Sequence, residues 1–359
     1  MNEAELHRLR QAIDDVDEAL ALLLEKRQAL ARSVGEAKGE SPVFDPARER
    51  TVIERLKGRH PSLDGKGLEA IQREVISLCR AVQQRPRVAL MGPEGSFSQQ
   101  AAHAGLGHSI DPVFTAGPWE AFAALERGEA TLAVVPIENT IEGVVYATLD
   151  AFAKAPTDLA IVGEVRLPIR HVLATGGCSL EEIVEVRSHP QALAQCRLWL
   201  TAHLAGTPQK PSSTTSGAAQ EASAERGIAA ICSEAAALSR GLTILRRSIQ
   251  DQPNNRTRFW IVGRDPSRPG QGAKTSLLFY VAHRPGSLLG ALEPLREAQR
   301  NLTFIQSRPL PENPFEYVFF LDVEGDAGEE PLASALKAMG EQCFRLRVLG
   351  SYPCGDSAI

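Results

Sequence analysis

The segment Gln250-Asp-Gln-Pro-Asn-Asn-Arg-Thr-Arg-Phe259 joins a loop signature to the start of an apolar run. Its proline and paired asparagines predict a loop, and the apolar residues 259–263 predict a short buried strand. Thr257 stands at this junction with an arginine on either side. A hydroxyl beside two cations is suited to hold an anionic substrate next to a proton donor. Taken alone, the segment is better explained as a solvated polar loop, and only the other motifs of the chain favour a binding site.

The bulk composition restricts the class of protein. A chain of 359 residues predicts two to four compact units. A net charge of −5 argues against nucleic acid or an anionic membrane as the main partner. The six cysteines are scattered without metal-ligand spacing, which favours reduced thiols and no metal site. The charged N-terminus and the absence of a long apolar run predict a cytoplasmic protein that neither carries a signal peptide nor enters a membrane.

Residues 1–85 are predicted to be all-α with three helices. The first helix follows from apolar residues spaced by three and four at positions 6, 9, 13, 16, 20, 23, 30 and 34. Arg27 interrupts this seam, and Lys38 returns to nearly the same face roughly 16 Å further along. Arg10 lies roughly 25 Å before Arg27 on another face. If all three serve one ligand, Arg10 comes from another chain, which predicts a dimer with shared sites.

The second helix is predicted to begin at Asp45 and Pro46, an N-cap followed by proline at the first helical position. In the third helix, Cys79 and Gln83 lie beside the apolar seam at i, i+4.

Five short motifs carry the polar residues of this unit: Leu9-Arg10, Lys26-Arg27, Glu36-Ala-Lys38, Asp45-Pro-Ala-Arg48-Glu49 and Gln83. Together with three helices they resemble the all-helical class of chorismate mutases, which rearrange chorismate to prephenate without a cofactor. The resemblance implies that Arg27 binds the carboxylates together with Arg10, which comes from a partner chain. Lys38 and Gln83 would donate to the ether oxygen. Further substrate contacts are implied for Glu49, Arg48, Asp45 and Cys79, the last at a position where some relatives carry serine. Because an amide donates without being protonated, Gln83 predicts mutase activity that persists at neutral pH.

Residues 86–265 are predicted to form two α/β lobes. A strand at 88–91 runs into the glycine loop 92–95 and a helix, which is an anion-binding arrangement but not a nucleotide fingerprint. A strand at 132–136 ends in Ile137-Glu-Asn-Thr140, and a strand at 184–186 ends in Ser188-His-Pro-Gln191. Since ligands bind at the carboxyl ends of strands in open α/β sheets, we expect a cleft between the lobes.

Four motifs in this region resemble prephenate dehydratases: 92–98, Val135-Pro-Ile-Glu-Asn-Thr140, Ser188-His-Pro-Gln191 and Thr257-Arg-Phe259. That family has a fold similar to two-lobed periplasmic binding proteins and converts prephenate to phenylpyruvate with loss of CO₂ and the ring hydroxyl. The resemblance implies that Thr257 is the central catalytic residue and that Arg258 binds a carboxylate. It implies orientation of the substrate by Asn139, Ser188, Gln195 and Thr215.

Residues 265–272 have the composition of a linker, and residues 273–353 predict a ferredoxin-like α+β unit in the order βαββαβ. Pro285-Gly-Ser-Leu288 and Ser307-Arg-Pro309 resemble the ACT modules of these dehydratases, which bind phenylalanine and inhibit. The resemblance implies an allosteric site formed by Gly286, Ser287, Leu288, Gln306, Ser307, Arg308 and Pro309. Gln306 stands where relatives usually carry glutamate.

The whole chain therefore resembles a bifunctional chorismate mutase–prephenate dehydratase. The resemblance implies chorismate and prephenate as substrates, L-phenylalanine as inhibitor, a homodimer or higher homo-oligomer, and no cofactor. Three alternatives stay open: an arogenate dehydratase, a chain whose mutase-like unit only dimerises, and a non-enzymatic sensor of aromatic amino acids.

Overall fold

The computed structural model describes residues 3–39, 44–264, 273–310 and 313–354. The chain folds as two compact units: the first contains the residues up to 86 together with Leu106–Asp111, and the second contains the rest. The predicted linker at 265–272 lies outside the described residues. In the described part of the chain, no helix has both the length and the apolar character needed to cross a bilayer.

The first unit has the three predicted helices, α1 (Glu3–Lys38), α2 (Pro46–Arg59) and α3 (Gly65–Gln84). Asp45 caps α2 as predicted, because its carboxylate accepts from the backbone N–H of Arg48 at 2.9 Å. Helices α1 and α3 approach closely at Gly35, where an added Cβ would lie 3.0 Å from the Cβ of Gln83. This close approach places the C-terminal end of α1 beside the polar residues of α3.

The second unit contains eleven strands before the C-terminal module. They are β1 (Arg87–Met91), β2 (Asp111–Thr115), β3 (Leu132–Asn139), β4 (Gly143–Val144), β5 (Ala160–Pro168), β6 (Val172–Thr175), β7 (Glu185–Ser188), β8 (Gln209–Pro211), β9 (Ile228–Cys232), β10 (Thr243–Arg246) and β11 (Arg256–Gly263). The helices between them are α4 (Phe97–Leu106), α5 (Pro118–Glu126), α6 (Tyr146–Lys154), α7 (Pro190–Gln195), α8 (Arg197–His203), α9 (Thr215–Ala224) and α10 (Glu234–Ser239).

These strands form two sheets, which confirms the two predicted lobes. The first sheet has the order β2-β1-β3-β11-β5 with β4 beside β3, and the second has the order β10-β6-β9-β7-β8. Two predicted boundaries were too short. Strand β3 continues past Pro136 to Asn139, and β11 begins at Arg256, so Asn139 and Thr257 are direct partners on neighbouring antiparallel strands.

The C-terminal module has the predicted βαββαβ order: β12 (Ala273–Tyr280), α11 (Ser287–Glu297), β13 (Leu302–Leu310), β14 (Asn313–Glu324), α12 (Leu332–Glu341) and β15 (Arg345–Pro353). Its strands are antiparallel in the order β13-β14-β12-β15. One face of this sheet packs on α11 and α12.

The module and the first lobe share one hydrophobic core. Phe152 and Trp260 of the lobe pack in the same cluster as Phe320 and Tyr352 of the module. The backbones also meet, because a Cβ on Gly350 would lie 2.1 Å from the carbonyl oxygen of Ile161. The module is therefore built onto the first lobe, whereas the sequence suggested a separate domain behind a linker.

Candidate active sites

A cavity of about 350 Å³ lies between the three helices of the first unit. Seven of the eight residues predicted for the mutase site line it: Arg27, Lys38, Asp45, Arg48, Glu49, Cys79 and Gln83. Arg80 lines it as well, so four cations face two carboxylates. The excess of positive charge suits an anionic ligand.

Two of these residues are fixed by contacts between or within the helices. The guanidinium of Arg27 donates to the carbonyl of Val75 on α3 at 3.3 Å, which holds its long side chain across the cavity wall. Gln83 donates from its amide nitrogen to the carbonyl of Cys79 at 3.2 Å, one turn earlier in the helix. Both contacts are long and leave N–H groups of each side chain for a ligand.

Arg80 is a site residue that the sequence reasoning missed. Its guanidinium is 3% exposed, pairs with the carboxylate of Glu49 at 3.2 Å and lies over the ring of Phe44. Burial raises the pKa of Glu49, and the charge of Arg80 opposes that rise. The Nε of Arg80 has no hydrogen-bond partner in the described part of the chain. Helical spacing was the available signal, since Arg80 follows the cavity residue Ile76 by four positions.

Arg10 does not reach this cavity. It lies on the exposed N-terminal part of α1, and the cavity lining begins on α1 only at Arg27. This placement agrees with the reasoning that Arg10 cannot share a site with Arg27 of its own chain.

In the second unit, Thr257 and Asn139 form the centre of a buried polar network. The amide nitrogen of Asn139 donates to the hydroxyl oxygen of Thr257 at 2.8 Å. The side-chain oxygen of Asn139 accepts from the backbone N–H groups of Ile141 and Glu142 at 2.9 and 3.0 Å. Because a backbone N–H can only donate, these two contacts fix which end of the Asn139 amide faces Thr257.

The network continues across to the second lobe. Asn139 also donates to the side-chain oxygen of Asn255 at 2.8 Å, and Asn255 donates to the side-chain oxygen of Gln195 on α7 at 3.1 Å. Gln195 then donates to the carboxylate of Glu142 at 3.3 Å. Nε2 of His171 lies 3.0 Å from the same oxygen of Gln195, so the ring must donate there. The backbone N–H groups that bind Asn139 thus fix its side-chain orientation, and through it those of Asn255 and Gln195.

The direction of these hydrogen bonds leaves one hydroxyl proton available at the centre of the site. The Thr257 oxygen accepts from Asn139, and its own hydroxyl proton has no acceptor among the described residues. That proton is therefore available for a hydrogen bond to a ligand. His171 carries its proton on Nε2, and its Nδ1 has no described partner. Burial lowers the His171 pKa, an effect that the hydrogen bond to Gln195 offsets only in part, so the ring is neutral at physiological pH.

Two predicted substrate contacts are placed elsewhere. Ser188 is fully buried and donates its hydroxyl to the carbonyl of Ile231 at 2.5 Å, which joins β7 to β9. Its role as a substrate contact stays a prediction. Thr215 lies in the first turn of α9, half-buried beside the N-cap Thr214, and is not part of the network around Thr257.

Arg258 also departs from its predicted role. Successive side chains of a strand point to opposite faces, so Arg258 points away from Thr257. Its guanidinium is 8% exposed and pairs with Glu164 of β5 and Asp322 of β14. A guanidinium enclosed by two carboxylates is not available as a carboxylate ligand for the substrate.

The residues predicted for the allosteric site are divided between two places. Ser287 and Leu288 line a cavity of about 390 Å³ in the C-terminal module, and Gly286 caps α11 beside them in the left-handed conformation. Gln306, Ser307, Arg308 and Pro309 lie on β13 and are not among its lining residues. Arg308 instead forms a bidentate pair with Asp150 of α6, at 2.7 and 2.6 Å.

Comparison with known proteins identifies the family of the chain. Two family models match the chain, Chorismate mutase type II over residues 9–84 and Prephenate dehydratase over residues 88–267. The bifunctional chorismate mutase/prephenate dehydratase of Aquifex aeolicus (strain VF5) is 39% identical over 356 residues, which cover 97% of this chain and 98% of that one. The chain belongs to the bifunctional chorismate mutase/prephenate dehydratase family. It is accordingly an enzyme with both activities.

Two solved structures are similar to about three quarters of this bifunctional chain. The prephenate dehydratase of Arthrobacter aurescens, solved in complex with L-Phe, has a TM-score of 0.69 and 33% identity, and covers 74% of this chain and 90% of its own. A structure described as GqqA, a novel type of quorum quenching acylases, has a TM-score of 0.69 and 32% identity, and covers 75% of this chain and 98% of its own.

The candidate site around Thr257 contains three residues that the sequence did not predict. Asn255 had a clear signal, since it precedes Thr257 by two positions and so faces the same side of the chain as the strand begins. Glu142 follows the recognised motif at Asn139 within one turn. His171 had no local signal, because a single histidine is more often structural.

Proposed function

We propose that the cavity of the first unit is the chorismate mutase site. A pericyclic rearrangement needs no acid, base or nucleophile, so catalysis consists of positioning and electrostatic stabilisation. Arg27 and Arg48 bind the two carboxylates of chorismate, and Lys38 and Gln83 donate to the ether oxygen as it gains negative charge. The observation that carries this assignment is the convergence of seven predicted residues on one cavity.

The mutase site is completed by a second copy of the chain. Helix α1 has no buried residue, and six apolar residues along it are between 47% and 62% exposed: Leu9, Ile13, Val16, Leu20, Leu23 and Leu30. An apolar stripe of this length on one helix is a surface that a soluble protein covers. Pairing α1 with its copy in antiparallel orientation brings Arg10 of each chain towards the cavity of the other, which gives a homodimer with two shared sites.

The dehydratase reaction takes place at Thr257. As the ring carboxylate of prephenate leaves as CO₂, its electron pair makes the ring aromatic and expels the ring hydroxyl. The Thr257 hydroxyl donates a hydrogen bond to that departing oxygen, which leaves as hydroxide and takes a proton from solvent to become water, while Asn139 holds the Thr257 oxygen in place. Gln195 and Asn255 orient the substrate from the second lobe and from the loop before β11. The carboxylate ligand is not assigned to Arg258, for the reason given above.

The C-terminal module acts as an ACT regulatory domain with a ferredoxin-like fold. Its βαββαβ order supports this assignment, and so does the L-Phe complex of the Arthrobacter aurescens relative. L-Phenylalanine binds in the cavity beside Ser287 and Leu288 and lowers dehydratase turnover, which requires that it bind two states of the enzyme unequally. The six cysteines are all free, as suits a cytoplasmic enzyme.

The test is phenylpyruvate formation from chorismate by the purified chain, with and without L-phenylalanine. We expect product that decreases when phenylalanine is added. Thr257→Val should lower turnover of prephenate about 10²- to 10³-fold and leave turnover of chorismate unchanged, and Arg27→Ala should do the reverse. Accumulation of prephenate by the wild-type chain, with turnover of added arogenate, would assign the second site to arogenate instead. Conversion of prephenate without any of chorismate would leave the first unit as a dimerisation element.

A further inference from the structure

Thr257 and Arg258 are neighbours in sequence but face opposite sides of β11. Strand β11 lies between β3 and β5, and Thr257 is hydrogen-bonded to Asn139 on one side. On the other side Arg258 reaches into the interior between the first lobe and the C-terminal module. Thr257 and Arg258 share one planar peptide unit, so the backbone position of Arg258 restricts that of Thr257.

Arg258 belongs to a buried charge cluster of four residues, Glu164, Arg258, Lys274 and Asp322. Arg258 Nε donates to Glu164 at 2.8 Å, and another nitrogen of the same guanidinium donates to Asp322. Lys274 donates to both oxygens of Glu164 at 3.1 and 3.0 Å. All four side chains are at most 8% exposed.

The buried charge cluster has no net charge, and both of its carboxylates accept hydrogen bonds at each of their oxygens. Two cations face two carboxylates, and the second oxygen of Asp322 accepts from the hydroxyl of Ser276, which lies 2.6 Å from the hydroxyl of Tyr352. Lys274, Asp322, Ser276 and Tyr352 all belong to the C-terminal module. A buried, paired and hydrogen-bonded charge has a strongly preferred position, since any shift leaves a partner unsatisfied.

We propose that Arg258 is a positioning residue for the dehydration step, and that the C-terminal module completes the dehydratase site by supplying the carboxylate of Asp322 that holds it. Arg258 binds Glu164 and Asp322 at the same time and thereby fixes the start of β11. Thr257 then presents its oxygen to Asn139 and its proton to the cleft. This role rests on the proposed function of Thr257.

If the Arg258–Asp322 pair only stabilises the fold, removing both charges should restore activity together with stability. A double variant therefore separates a structural role from a positioning role. Asp322→Leu leaves the Arg258 guanidinium buried without one of its two buried carboxylate partners. Arg258→Met together with Asp322→Leu removes both charges, while Glu164 and Lys274 remain as a neutral pair and Glu138, 3.6 Å from Arg258, is 42% exposed and stays solvated. Replacing both members of a buried ion pair by apolar residues commonly restores stability. It does not restore a guanidinium that positions β11.

The experiment measures kcat and KM for prephenate and the thermal midpoint of the full-length chain. For Asp322→Leu we expect kcat to fall tenfold or more with KM within about twofold, since misplacement of a reacting group by 1 Å can cost about 10²-fold. For the double variant we expect the midpoint to return to the wild-type value while kcat stays low. Recovery of kcat together with the midpoint would show that the pair is only structural and would overturn the proposal.

Three further variants keep the result decisive. Arg258→Lys retains the charge but lacks the planar fork that contacts two carboxylates, so we expect a folded enzyme with reduced kcat; wild-type kcat would contradict the proposal, even if Asp322→Leu fails to fold. Asp150→Asn breaks the partly exposed pair with Arg308 that also joins module and lobe, and should leave kcat unchanged. If Thr257→Val retains wild-type kcat, the proposed function itself fails; if only the Arg258 and Asp322 variants do, the positioning role alone fails.

Discussion

Glu164→Gln is expected to destabilise the second unit strongly, because it removes one charge from the centre of the buried charge cluster. The Glu164 side chain is fully buried and lies 2.8 Å from Arg258, 3.0 Å from Lys274 and 3.2 Å from Arg166. Burial acts to raise the Glu164 pKa, but the charges of Arg258 and Lys274 lower it overall, so the carboxylate is ionised. The amide has the same shape without the charge and leaves two buried cations with one carboxylate. Breaking a buried pair in this way costs about 3–5 kcal/mol of unfolding free energy.

Urea denaturation followed by tryptophan fluorescence measures this loss. All three tryptophans lie in the second unit, and Trp260 is buried on β11, so the signal reports that unit. With an m-value of about 3 kcal/mol per molar urea, the midpoint should fall by about 1 to 1.7 M. The matched control is Glu129→Gln, whose carboxylate pairs with Arg127 at 2.7 Å on the surface and should give no measurable change. A loss below about 1 kcal/mol for Glu164→Gln would mean that the cluster is solvated like a surface ion pair, which would refute the reasoning.

Gln83→Glu should make mutase turnover fall as pH rises through neutrality, because glutamate donates only when protonated; a pH profile as flat as that of the wild type would contradict the role of Gln83. Mixing inactive Arg10→Ala and Arg27→Ala homodimers should restore about a quarter of the wild-type mutase turnover, since half of the dimers become mixed and each has one intact site. No recovery on mixing would place each site within one chain. Because burial lowers the His171 pKa, the unfolded chain takes up this proton first, so stability that is present at neutral pH should decline as pH falls below about 6.5 towards the folded-state pKa. His171→Gln should remove this part of the decline in the thermal midpoint, and an unchanged slope would count against a buried neutral ring.

The mutase site was predictable because its residues follow local periodicity. Positions three, four and eleven residues apart share a helix face, and an N-cap such as Asp45 fixes where a helix begins. The same periodicity placed Arg27 and Lys38 together and excluded Arg10 from their cavity. Only Arg80 was overlooked, and its spacing from Ile76 follows the same rule.

The dehydratase site was only half predictable, because proximity in sequence was taken for proximity in space. Asn139 and Thr257 were correctly brought together by motif order. Arg258 was assigned to the same site although the two-residue period of a strand sends it to the other face. Its true partner, Asp322, is 64 positions further along the chain, and no local pattern reports a contact of that range. Ser188 shows a second limit, since the sequence does not report that its hydroxyl bonds the carbonyl of Ile231 on the neighbouring strand.

The shared core limits how far the C-terminal module and the first lobe can move relative to one another. The C-terminal module and the first lobe are joined by the buried charge cluster and a continuous apolar core, so separating them would expose charges and apolar surface at high cost. We expect any opening of the cleft between the lobes to come from movement of the second lobe, which holds Gln195. Gln195 bonds both Asn255 and Glu142 across the cleft, so opening breaks two hydrogen bonds that the closed state keeps. If the proposed roles of the module and of Arg258 hold, a ligand of the module would act by shifting Arg258 slightly and so misplacing Thr257, because a packed interior passes on small displacements and does not absorb them.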